Sequence, residues 1–575
     1  MNKIAECLRV ISWLALTATP MLTKAQSWQW ASAPTAIVDP SGNSASGGSG
    51  IVAMVPDGAG NTVVAGNFSG SFTLGSTTLT SMGHSDVFVA RISPRGEWLL
   101  AVRAGGPSED FVSGLKLDAA GNAVITGRFG NLVAGATTTF GSFVLASAGN
   151  TDAFVARLDM AAGTWTQAVR AGGPGNDEAT ALALDGAGNA VVAGSFQGSL
   201  GLGPTTLAAD GVTTAAFVAR LDVAAGTWTQ ASQSTCAFST VPFRNQVSAV
   251  ALDAAGNVVV AGQFDANTRF GSLTLSNTLG GTSAYLARLS AAGQWTQAVP
   301  LSNNSRYAPP PTITALAVDG AGTATVAGVL LETVDFGATT LTSAGSYDVF
   351  MARLSAAGQW TQAVRAGSPA NDLAGAMTTD AAGNVFVAGL FGVYGTPNQS
   401  TTATFGPLQI ISTGRYDVFV AALSPTGQWV QAVRAGGQGN DVASAIAVDT
   451  EGNVVVAGSC NSPASFGAVT LSGATNYPMA FVARFGNTTV LATHAAAPAT
   501  DFTLAPNPTT SLVRLTWAET IPTSRPVQLF DALGRELRRQ QLPARATAAT
   551  LDVAGLTPGF YLVRCGTATG KLQVE

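Results

Sequence analysis

The chain contains 575 residues, of which 11% are charged and 46% are hydrophobic, and its formal net charge is −5 at pH 7. This length allows several domains with large cores. The charged share is less than half of the usual value of about 25%, which excludes a disordered acidic chain and a coiled coil. The weak negative charge excludes a basic nucleic-acid binder, because it provides no long-range attraction to DNA, RNA or anionic lipid.

The first 25 residues are typical of a secretory signal peptide. Lys3 and Arg9 flank the start of an apolar stretch over residues 10–16, and small residues lead to a cleavage site between Ala25 and Gln26. The stretch is shorter than the roughly 20 residues of a membrane-spanning helix, although a retained membrane anchor is the alternative. Beyond Gln26, Gly, Asp or Asn interrupts every apolar run, so we expect no stable transmembrane segment in the mature chain.

The mature chain keeps three cysteines, Cys236, Cys460 and Cys565. Their odd number and wide spacing fit neither a zinc site nor a dense disulfide framework, and their role stays open. The sequence predicts no redox chemistry, no metal site and no cofactor.

The motif Asp-x-x-Gly-Asn, or a close variant, recurs seven times at intervals of 61 to 69 residues. The copies begin at Asp57, Asp118, Asp185, Asp253, Asp319, Asp380 and Asp449. An alternating strand follows each copy and leads to a Phe-Gly or Leu-Gly step. Next come a second strand of the type Asp152–Arg157 and a third of the type Trp165–Arg170. A Gly-rich connection then leads to the fourth strand. Period-two alternation between Gly and Asn turns predicts an all-β fold, and units of about 65 residues with four strands are typical of propeller blades.

Tryptophans give an independent count of these units. Six of them open the strand before the Gly-rich connection: Trp98, Trp165, Trp228, Trp295, Trp360 and Trp429. The seventh copy lacks this strand, because its repeat pattern ends after Arg484. Ser27-Trp28-Gln29-Trp30-Ala31, at the mature N-terminus, aligns with the missing strand. We therefore predict that residues near Trp28 complete the last unit, which closes the ring and leaves no free sheet edge.

Three motifs recur together over residues 27–485: Gly-Gly-x-x-x-Asp, Asp-x-x-Gly-Asn and Asp-x-Phe-x-x-Arg/Lys. In this pattern the chain resembles the bacterial seven-bladed β-propeller repeat family. Each motif alone is ordinary turn chemistry, whereas seven copies in register are specific. The resemblance implies a seven-bladed β-propeller over residues 26–486.

Two interpretations of the Asp-x-x-Gly-Asn motif are open. In a hairpin turn, the Asp side chain binds local backbone N–H groups, and Gly or Asn adopts positive φ. The alternative is a calcium loop. Calcium takes six to eight oxygen ligands, and a loop with one carboxylate supplies too few, so the hairpin turn is favoured.

Four of the Gly-rich connections carry an Arg and an Asp at the same spacing. The pairs are Arg103 and Asp110, Arg170 and Asp177, Arg365 and Asp372, and Arg434 and Asp441. The copies that follow Trp28, Trp228 and Trp295 lack both residues. This joint presence predicts an ion pair that clamps the connection, with a ligand-facing charge pair as the alternative.

The connections on one face vary in length, whereas the turns on the opposite face are uniformly short. The variable connections are residues 41–50, 233–246, 301–312 and 392–404, and they contain Arg244, Tyr307 and Tyr394. Binding residues concentrate in variable loops on a rigid scaffold, so these three residues are the candidate ligand-binding residues. Insertions tolerated without any function are the alternative.

Catalytic signals are poor. The two histidines are His84, at a repeat position that other copies fill with Asn, Ser or Arg, and His494, in a linker. Neither a catalytic triad nor a histidine metal cluster can be assembled from them. The Gly-x-Ser-x-Gly elbow, the phosphate loop and paired Cys motifs are also missing. Carboxylate-only chemistry, such as glycoside cleavage, stays open because acids are plentiful.

Residues 487–500 form a linker of small residues, and residues 501–575 differ in composition from the repeats. Short alternating strands with Gly and Pro turns predict a small Ig-like β-sandwich. Its motif residues are Asn507, Pro508, Asp531, Gly534, Arg535, Gly559 and Tyr561. With these residues the segment resembles the type A sorting domain of the type IX secretion system; an ordinary adhesive sandwich is the alternative. The resemblance implies handling by the type IX machinery of a gram-negative bacterium, and release or attachment at the cell surface.

The sequence therefore predicts a secreted or cell-surface β-propeller that acts as a noncatalytic binding or adhesion module. Its ligand would be an extracellular glycan or protein, and we expect no nucleic-acid partner. The alternatives are a propeller enzyme that acts on extracellular polysaccharide and a structural component of a surface layer.

Overall fold

The computed structural model describes residues 26–35, 49–130, 135–209, 214–236, 245–265, 267–276, 282–301, 309–393, 400–461, 463–472, 478–487, 502–517, 524–531, 535–565 and 568–575. The chain divides into two compact units, residues 1–487 and 488–575. Across the described ranges every regular element is a β-strand. The predicted signal peptide and most of the predicted linker lie outside these ranges.

The N-terminal unit consists of strand β1 (Gln26–Ser32) and seven repeats. The first repeat comprises β2 (Ser49–Pro56), β3 (Thr62–Phe68), β4 (Ser71–Leu74), β5 (Thr77–Thr80), β6 (Asp86–Ile92) and β7 (Trp98–Ala104). The second comprises β8 (Asp110–Leu117), β9 (Ala123–Phe129), β10 (Thr137–Phe140), β11 (Phe143–Ala146), β12 (Asp152–Asp159) and β13 (Thr164–Ala171). The third comprises β14 (Glu178–Leu184), β15 (Ala190–Gln197), β16 (Ser199–Leu202), β17 (Thr205–Ala208), β18 (Thr214–Asp222) and β19 (Thr227–Cys236).

The remaining repeats follow the same order. The fourth comprises β20 (Asn245–Leu252), β21 (Val258–Phe264), β22 (Thr268–Phe270), β23 (Leu273–Leu275), β24 (Ser283–Leu289) and β25 (Trp295–Leu301). The fifth comprises β26 (Thr312–Val318), β27 (Ala324–Leu330), β28 (Thr333–Phe336), β29 (Thr339–Thr342), β30 (Asp348–Leu354) and β31 (Trp360–Ala366). The sixth comprises β32 (Asn371–Thr379), β33 (Val385–Gly392), β34 (Thr402–Phe405), β35 (Leu408–Ile411), β36 (Tyr416–Leu423) and β37 (Trp429–Gly437). The seventh comprises β38 (Val442–Val448), β39 (Val454–Cys460), β40 (Ala464–Phe466), β41 (Val469–Leu471) and β42 (Met479–Asn487).

The strands of one repeat form an antiparallel sheet and a separate hairpin. The first, second, fifth and sixth strands pair in that order, and we call them strands a, b, c and d. The third and fourth strands form a two-stranded hairpin at the Phe-Gly or Leu-Gly step, which adds two strands to the four that the sequence predicts. The step can turn this tightly because its glycine adopts positive φ, as at Gly141 with a φ of 59°. In two places, β19 and β37, strand d also pairs with the next repeat's hairpin.

Strand β1 supplies strand d of the seventh sheet, as the sequence predicts. It pairs antiparallel with β42, with Trp28 opposite Phe485 and Ala31 opposite Ala483. The Trp28 ring lies edge-on to Phe466 at a centroid distance of 5.2 Å. Its indole N–H donates to the carbonyl of Arg434 in the sixth sheet at 3.3 Å. The two ends of this unit of the chain therefore meet within one sheet.

The a strands of the seven sheets contact one another in a closed cycle, from β2 through β8, β14, β20, β26, β32 and β38 back to β2. Hydroxyl groups join neighbouring a strands directly. Thr180 Oγ1 donates to the Val247 carbonyl at 2.6 Å, and Ser248 Oγ donates to the Ile313 carbonyl at 2.6 Å. Ser444 makes the same bond to the Ile51 carbonyl, which joins the last sheet to the first. The arrangement of this all-β unit is propeller-like.

The hydrophobic core of this unit lies between adjacent sheets rather than in one central mass. In the core between the first two sheets, Phe140 packs against Phe154 at 4.9 Å and against Trp165 at 5.1 Å. The Trp165 indole N–H donates to the carbonyl of Arg103 in the preceding sheet at 3.1 Å. Burial of each such side chain stabilises the fold by roughly 1.5–3 kcal/mol, so every sheet depends on its neighbours.

The C-terminal unit contains two antiparallel sheets around one core. Its strands are β43 (Phe502–Ala505), β44 (Leu512–Trp517), β45 (Arg525–Phe530), β46 (Glu536–Leu542), β47 (Ala548–Asp552), β48 (Gly559–Cys565) and β49 (Ala568–Val574). The sheet orders are β43-β44-β47 and β46-β45-β48-β49. Val513, Trp517, Leu529 and Val563 contribute to the shared core.

Candidate functional site

Three candidate ligand-binding residues, Arg244, Tyr307 and Tyr394, lie outside the described residues. The strands on either side of their connections are described. The connections join β19 to β20, β25 to β26, and β33 to β34. Because strands alternate in direction, the end of strand b, the end of strand d and the start of strand a lie at one edge of a sheet. The described ends of the three connections therefore lie at one edge of the ring, opposite the Asp-x-x-Gly-Asn turns.

The Asp-x-x-Gly-Asn motif forms the hairpin turn between strands a and b, as favoured from the sequence. Asp118 Oδ1 accepts the N–H groups of Ala120 and Asn122, both at 2.9 Å. Asp118 Oδ2 accepts the Asn122 side-chain amide at 3.2 Å, and Gly121 has a φ of 79°. N–H donors thus account for both carboxylate oxygens. In the described ranges, His, Cys, Asp and Glu residues form no group of three or more that could hold a metal ion.

The predicted ion pair between Arg103 and Asp110 is wrong. Arg103 Nη1 instead binds Oδ2 of Asp86, on the neighbouring strand c, at 2.5 Å. The strand register pairs Arg103 with Phe88, so Asp86, two residues earlier on β6, lies diagonally opposite Arg103 on the same face of the sheet. Asp110 instead accepts the backbone N–H of Gly106 at 2.8 Å. The other copies show the same pairs: Arg170 with Asp152, Arg365 with Asp348, and Arg434 with Asp417.

Each of these sites contains two buried carboxylates. Asp86 is 0% exposed and Asp110 is 2% exposed, and Oδ1 of each has no hydrogen-bond partner. Between the fifth and sixth sheets, a Cβ on Gly367 would lie 2.5 Å from Asp348 Oδ1 and 3.0 Å from Asp372 Oδ2. Only a glycine leaves room for both carboxylates, which therefore lie close together on either side of the Gly367 Cα atom.

Burial raises the pKa of Asp110 to about 7, an effect that the Asp86 carboxylate reinforces and the bond from the Gly106 N–H opposes. The pKa values of Asp177, Asp372 and Asp441 are raised to about 7 as well, again chiefly by burial. Burial also raises the pKa of Asp86, although the bonds from Arg103 and Met82 oppose this shift. One proton shared by the two carboxyl groups would make such a site neutral beside its Arg. These carboxyl groups are too buried to contact a substrate, so we assign them a structural role.

A signal for this arrangement was present in the sequence. The Asp86 position also changes where the Arg and the second Asp are missing. Its equivalents in those three sheets are Ala215, Ser283 and Met479. All three members of the site are therefore present together or absent together.

Asn507 and its neighbours fix the start of the C-terminal unit to its last strand. Asn507 Nδ2 donates to the Lys571 carbonyl at 2.8 Å, and Asn507 Oδ1 accepts the Gln573 N–H at 2.8 Å. Pro508 follows, and the N–H of Thr509 donates to the Gln573 carbonyl at 3.0 Å. The Asn-Pro motif therefore anchors the segment between β43 and β44 along β49.

Asp531 and Arg535 close the turn between β45 and β46. Asp531 Oδ1 accepts the Arg535 N–H at 2.9 Å, and Oδ2 binds Arg535 Nε at 2.7 Å. Gly534, the third predicted member of this motif, lies outside the described residues. Because the pair closes a local turn, its first role is to fix the hairpin.

Strand β48 presents alternate residues to the core and to the surface. Gly559 begins the strand, and the buried Tyr561 donates its hydroxyl to the Thr557 carbonyl at 2.6 Å. Phe560 is 56% exposed and Leu562 is 43% exposed. Lys571 Nζ lies 3.8 Å from the centroid of the Phe560 ring. Phe560 and Leu562 therefore face the surface, whereas Tyr561 and Val563 face the core.

Comparison with known families decides the role of this unit. Residues 503–574 match the family model of the secretion system C-terminal sorting domain. The sorting domain directs export by type IX secretion to the cell surface or the extracellular space. The described ranges contain no helix with the length and apolar character needed to span a membrane.

The other comparisons say little about function. No curated protein matches the chain. A crystal structure of a mutant of the GH43 protein BlXynB from Bacillus licheniformis has 10% sequence identity and a TM-score of 0.27, and the match covers 77% of this chain and 95% of that chain. At this level of similarity the match carries no argument about activity.

Proposed function

We propose that this protein is a seven-bladed β-propeller that acts as a noncatalytic binding or adhesion module outside the cell. In this proposal, residues 1–25 are a signal peptide, residues 26–486 form the propeller, and residues 487–500 are a linker. Residues 501–575 are an Ig-like sorting domain of type A. The proposal extends the resemblance to the bacterial propeller repeat family.

One observation supports the proposal: the sheets pack in a closed ring, and the described ends of the connections of unequal length lie at one edge of it. Rigid scaffolds with variable loops are the usual support for recognition sites. Arg244, Tyr307 and Tyr394 lie in those connections and provide a cation and two aromatic rings, which suit glycans and protein surfaces.

The repeated acids support a noncatalytic role, because the fold already uses them. Asp118 and its equivalents close turns, and Asp86 and Asp110 are buried beside Arg103. Hydrolysis of a glycoside would need a pair of carboxyl groups open to the substrate. The weak negative charge of the chain supports the proposal that nucleic acids are not partners.

The test uses the purified mature chain and a panel of polysaccharides and cell-surface glycans. Bound protein and released reducing ends are recorded in the same incubation. Arg244→Ala, Tyr307→Ala and Tyr394→Ala should each weaken binding at least about tenfold, as expected for aromatic and Arg anchors. Arg95→Ala, in the exposed turn between β6 and β7 on the opposite edge, is the matched control and should bind normally.

Binding without release of sugar, together with the loss in these variants, supports the proposal. Release of reducing ends would contradict it and favour the polysaccharide-acting enzyme. Self-association of the chain without any bound glycan or protein would instead favour a structural component of a surface layer.

A further inference from the structure

A cavity of about 320 Å³ opens between the sixth and seventh sheets. It lies on the edge with the Asp-x-x-Gly-Asn turns, opposite the variable connections. The residues that matter for its chemistry are Asp380 and Gly452 from the two turns, Ala422 at the end of strand c, Gln431 from strand d, and Phe386 from strand b.

The cavity lies where one repeat loses an arginine. Strand register makes Ala422 the equivalent of an Arg in each of the other six sheets: Arg91, Arg157, Arg220, Arg288, Arg353 and Arg484. Ala422 is 3% exposed, so an arginine side chain at this position would begin inside the protein and not in solvent.

The other sheets show what a guanidinium group binds at this position. Arg220 Nε donates to Gln230 Oε1 at 3.0 Å, and its Nη2 donates to the Gly256 carbonyl in the next sheet's turn at 2.6 Å. Arg220 Nη1 lies 3.9 Å from Oδ2 of Asp185 in its own turn. The partners are therefore a turn Asp, a strand Gln and a Gly carbonyl of the next turn.

Three further sheets repeat parts of this set. Arg288 binds Gln297 Oε1 at 2.9 Å and the Gly322 carbonyl at 2.7 Å. Arg157 Nε and Nη2 both bind Asp118 Oδ2, at 2.9 Å and 2.6 Å. Arg484 likewise binds Asp449 Oδ2 through Nε and Nη2. Parts of the site therefore recur in four sheets, whereas Nε of Arg91 and of Arg353 has no hydrogen-bond partner.

The sixth sheet keeps all of these partners around the cavity. Gln431 lies opposite Ala422, as Gln230 lies opposite Arg220. Asp380 keeps the local bonds of its turn, from the N–H of Ala382 at 2.9 Å and from the Asn384 amide at 2.7 Å. Its carboxylate therefore has the orientation that Asp118 and Asp185 have towards an arginine, but no arginine among the described residues pairs with it.

Two substitutions at the cavity add apolar contact. Phe386 occupies a strand position that the other sheets fill with Val or Thr: Val63, Val124, Val191, Val259, Thr325 and Val455. Val430, at the mouth, is 58% exposed and replaces a Thr found in four other repeats. An aromatic face attracts a guanidinium plane, and an exposed Val packs against the methylene groups of its stem.

We propose that this cavity binds a guanidinium group that comes from outside the chain. A guanidinium is planar and presents several N–H donors at once, which matches the Asp, Gln and carbonyl acceptors seen in the other sheets. The group comes either from an arginine side chain of a partner protein or from a free guanidino compound. The site lies on the edge opposite the proposed ligand face, so it does not depend on the function proposed above.

The experiment titrates the full mature chain with ethylguanidinium, n-propylammonium and urea, and follows binding by saturation-transfer NMR and by the melting temperature. Ethylguanidinium should bind and raise the melting temperature, with n-propylammonium at least about tenfold weaker and urea without effect. Ala422→Arg restores the residue of the other repeats, so it should fold, melt at the same or a higher temperature, and no longer bind ethylguanidinium.

Two Asp variants separate the cavity from the turn. Asp380→Asn should weaken ethylguanidinium binding at least about tenfold, because it removes the charge that faces the cavity. Asp57→Asn, the same change in the first repeat, should leave binding unchanged. Equal binding by the wild-type chain and Ala422→Arg, equal affinity for n-propylammonium, or no binding at all would overturn the proposal.

A final comparison identifies the source of the group. A short peptide with one arginine between glycines is titrated beside ethylguanidinium. Tighter binding of the peptide, by about tenfold or more, assigns the site to a partner protein's arginine. Equal or weaker binding of the peptide assigns it to a free guanidino compound.

Discussion

The buried Asp-Arg-Asp sites each bring two carboxyl groups and one guanidinium group into the protein interior. Asp86, Arg103 and Asp110 are on three different strands, and one proton is needed to balance their charges. Asn245 of the fourth sheet stands at the position of Asp110, and Gln233 of the third sheet stands at the position of Arg103. A lone buried carboxylate would be costly there, which explains why the three residues change together.

These sites predict that the free energy of unfolding falls as the pH rises from about 5 to 8. The folded-state pKa of Asp110 and its three equivalents, about 7, lies above the ordinary value of 3.8. The folded chain therefore holds protons that the unfolded chain has already released. This stabilisation is complete below pH about 4 and is lost as the pH rises through 7, at up to about 1.4 kcal/mol per pH unit for each site. Denaturant unfolding at a series of pH values measures it.

Asp110→Asn is the matched variant, since Asn occupies this position in the fourth sheet. It should remove about a quarter of the pH dependence and raise stability at pH 8. Asp118→Asn is the control: despite desolvation, the bonds from Asn122 and Arg157 lower the pKa of Asp118, so it takes up no proton in this range. An unchanged slope in Asp110→Asn would show that the buried pair does not hold the proton.

At the scale of paired strands, a glycine in strand b determines how closely strands a and b approach each other. A Cβ on Gly127 would lie 1.9 Å from the Phe111 carbonyl oxygen and 3.0 Å from the Phe154 ring. Gly127→Ala must therefore push apart two backbone strands and a buried ring, and we expect it to cost about 1–3 kcal/mol or more. Gly186→Ala has open space at its Cβ, so its unfolding free energy should stay within about 0.5 kcal/mol of wild type. Equal losses in both variants by chemical denaturation would contradict this explanation.

The same scale shows what the sequence could predict. Alternation and Gly-Asn turns predicted the four strands of each sheet, and Trp28 predicted the strand that completes the seventh. The third and fourth strands of each repeat have only three or four residues, which is too short to show alternation. The sequence therefore predicted only the Phe-Gly or Leu-Gly step between them. The partner of Arg103 depended on strand register, because Asp86 is near in space but distant in the chain. The sequence shows that Ala422 replaces the arginine of the other repeats. It does not predict the cavity, because the lining residues Asp380 and Gly452 belong to different repeats.

At the scale of the whole ring, β1 lies where the two ends of the ring meet. Trp28 reaches the sixth sheet through the Arg434 carbonyl, and the Trp30 indole N–H donates to the Pro94 carbonyl in the first sheet at 2.7 Å. The same strand covers the edge of β42, which would otherwise expose its backbone N–H and C=O groups. One short strand thus contacts three consecutive sheets.

Deletion of residues 27–33 should therefore lower the melting temperature of the whole ring and not only loosen its last sheet. The deletion exposes Phe466 and Phe485, which pack against Trp28 at 5.2 Å and 5.3 Å, and it frees the edge of β42 for aggregation. Trp28→Ala, which keeps the strand, should lose a large part of the same stability, up to the roughly 3–5 kcal/mol of a fully buried Trp. Ser32→Ala keeps both the backbone pairing and the rings, so it should melt like the wild type. Calorimetry of the mature chain measures all three, and an unchanged melting temperature after the deletion would show that the ring is held closed without β1.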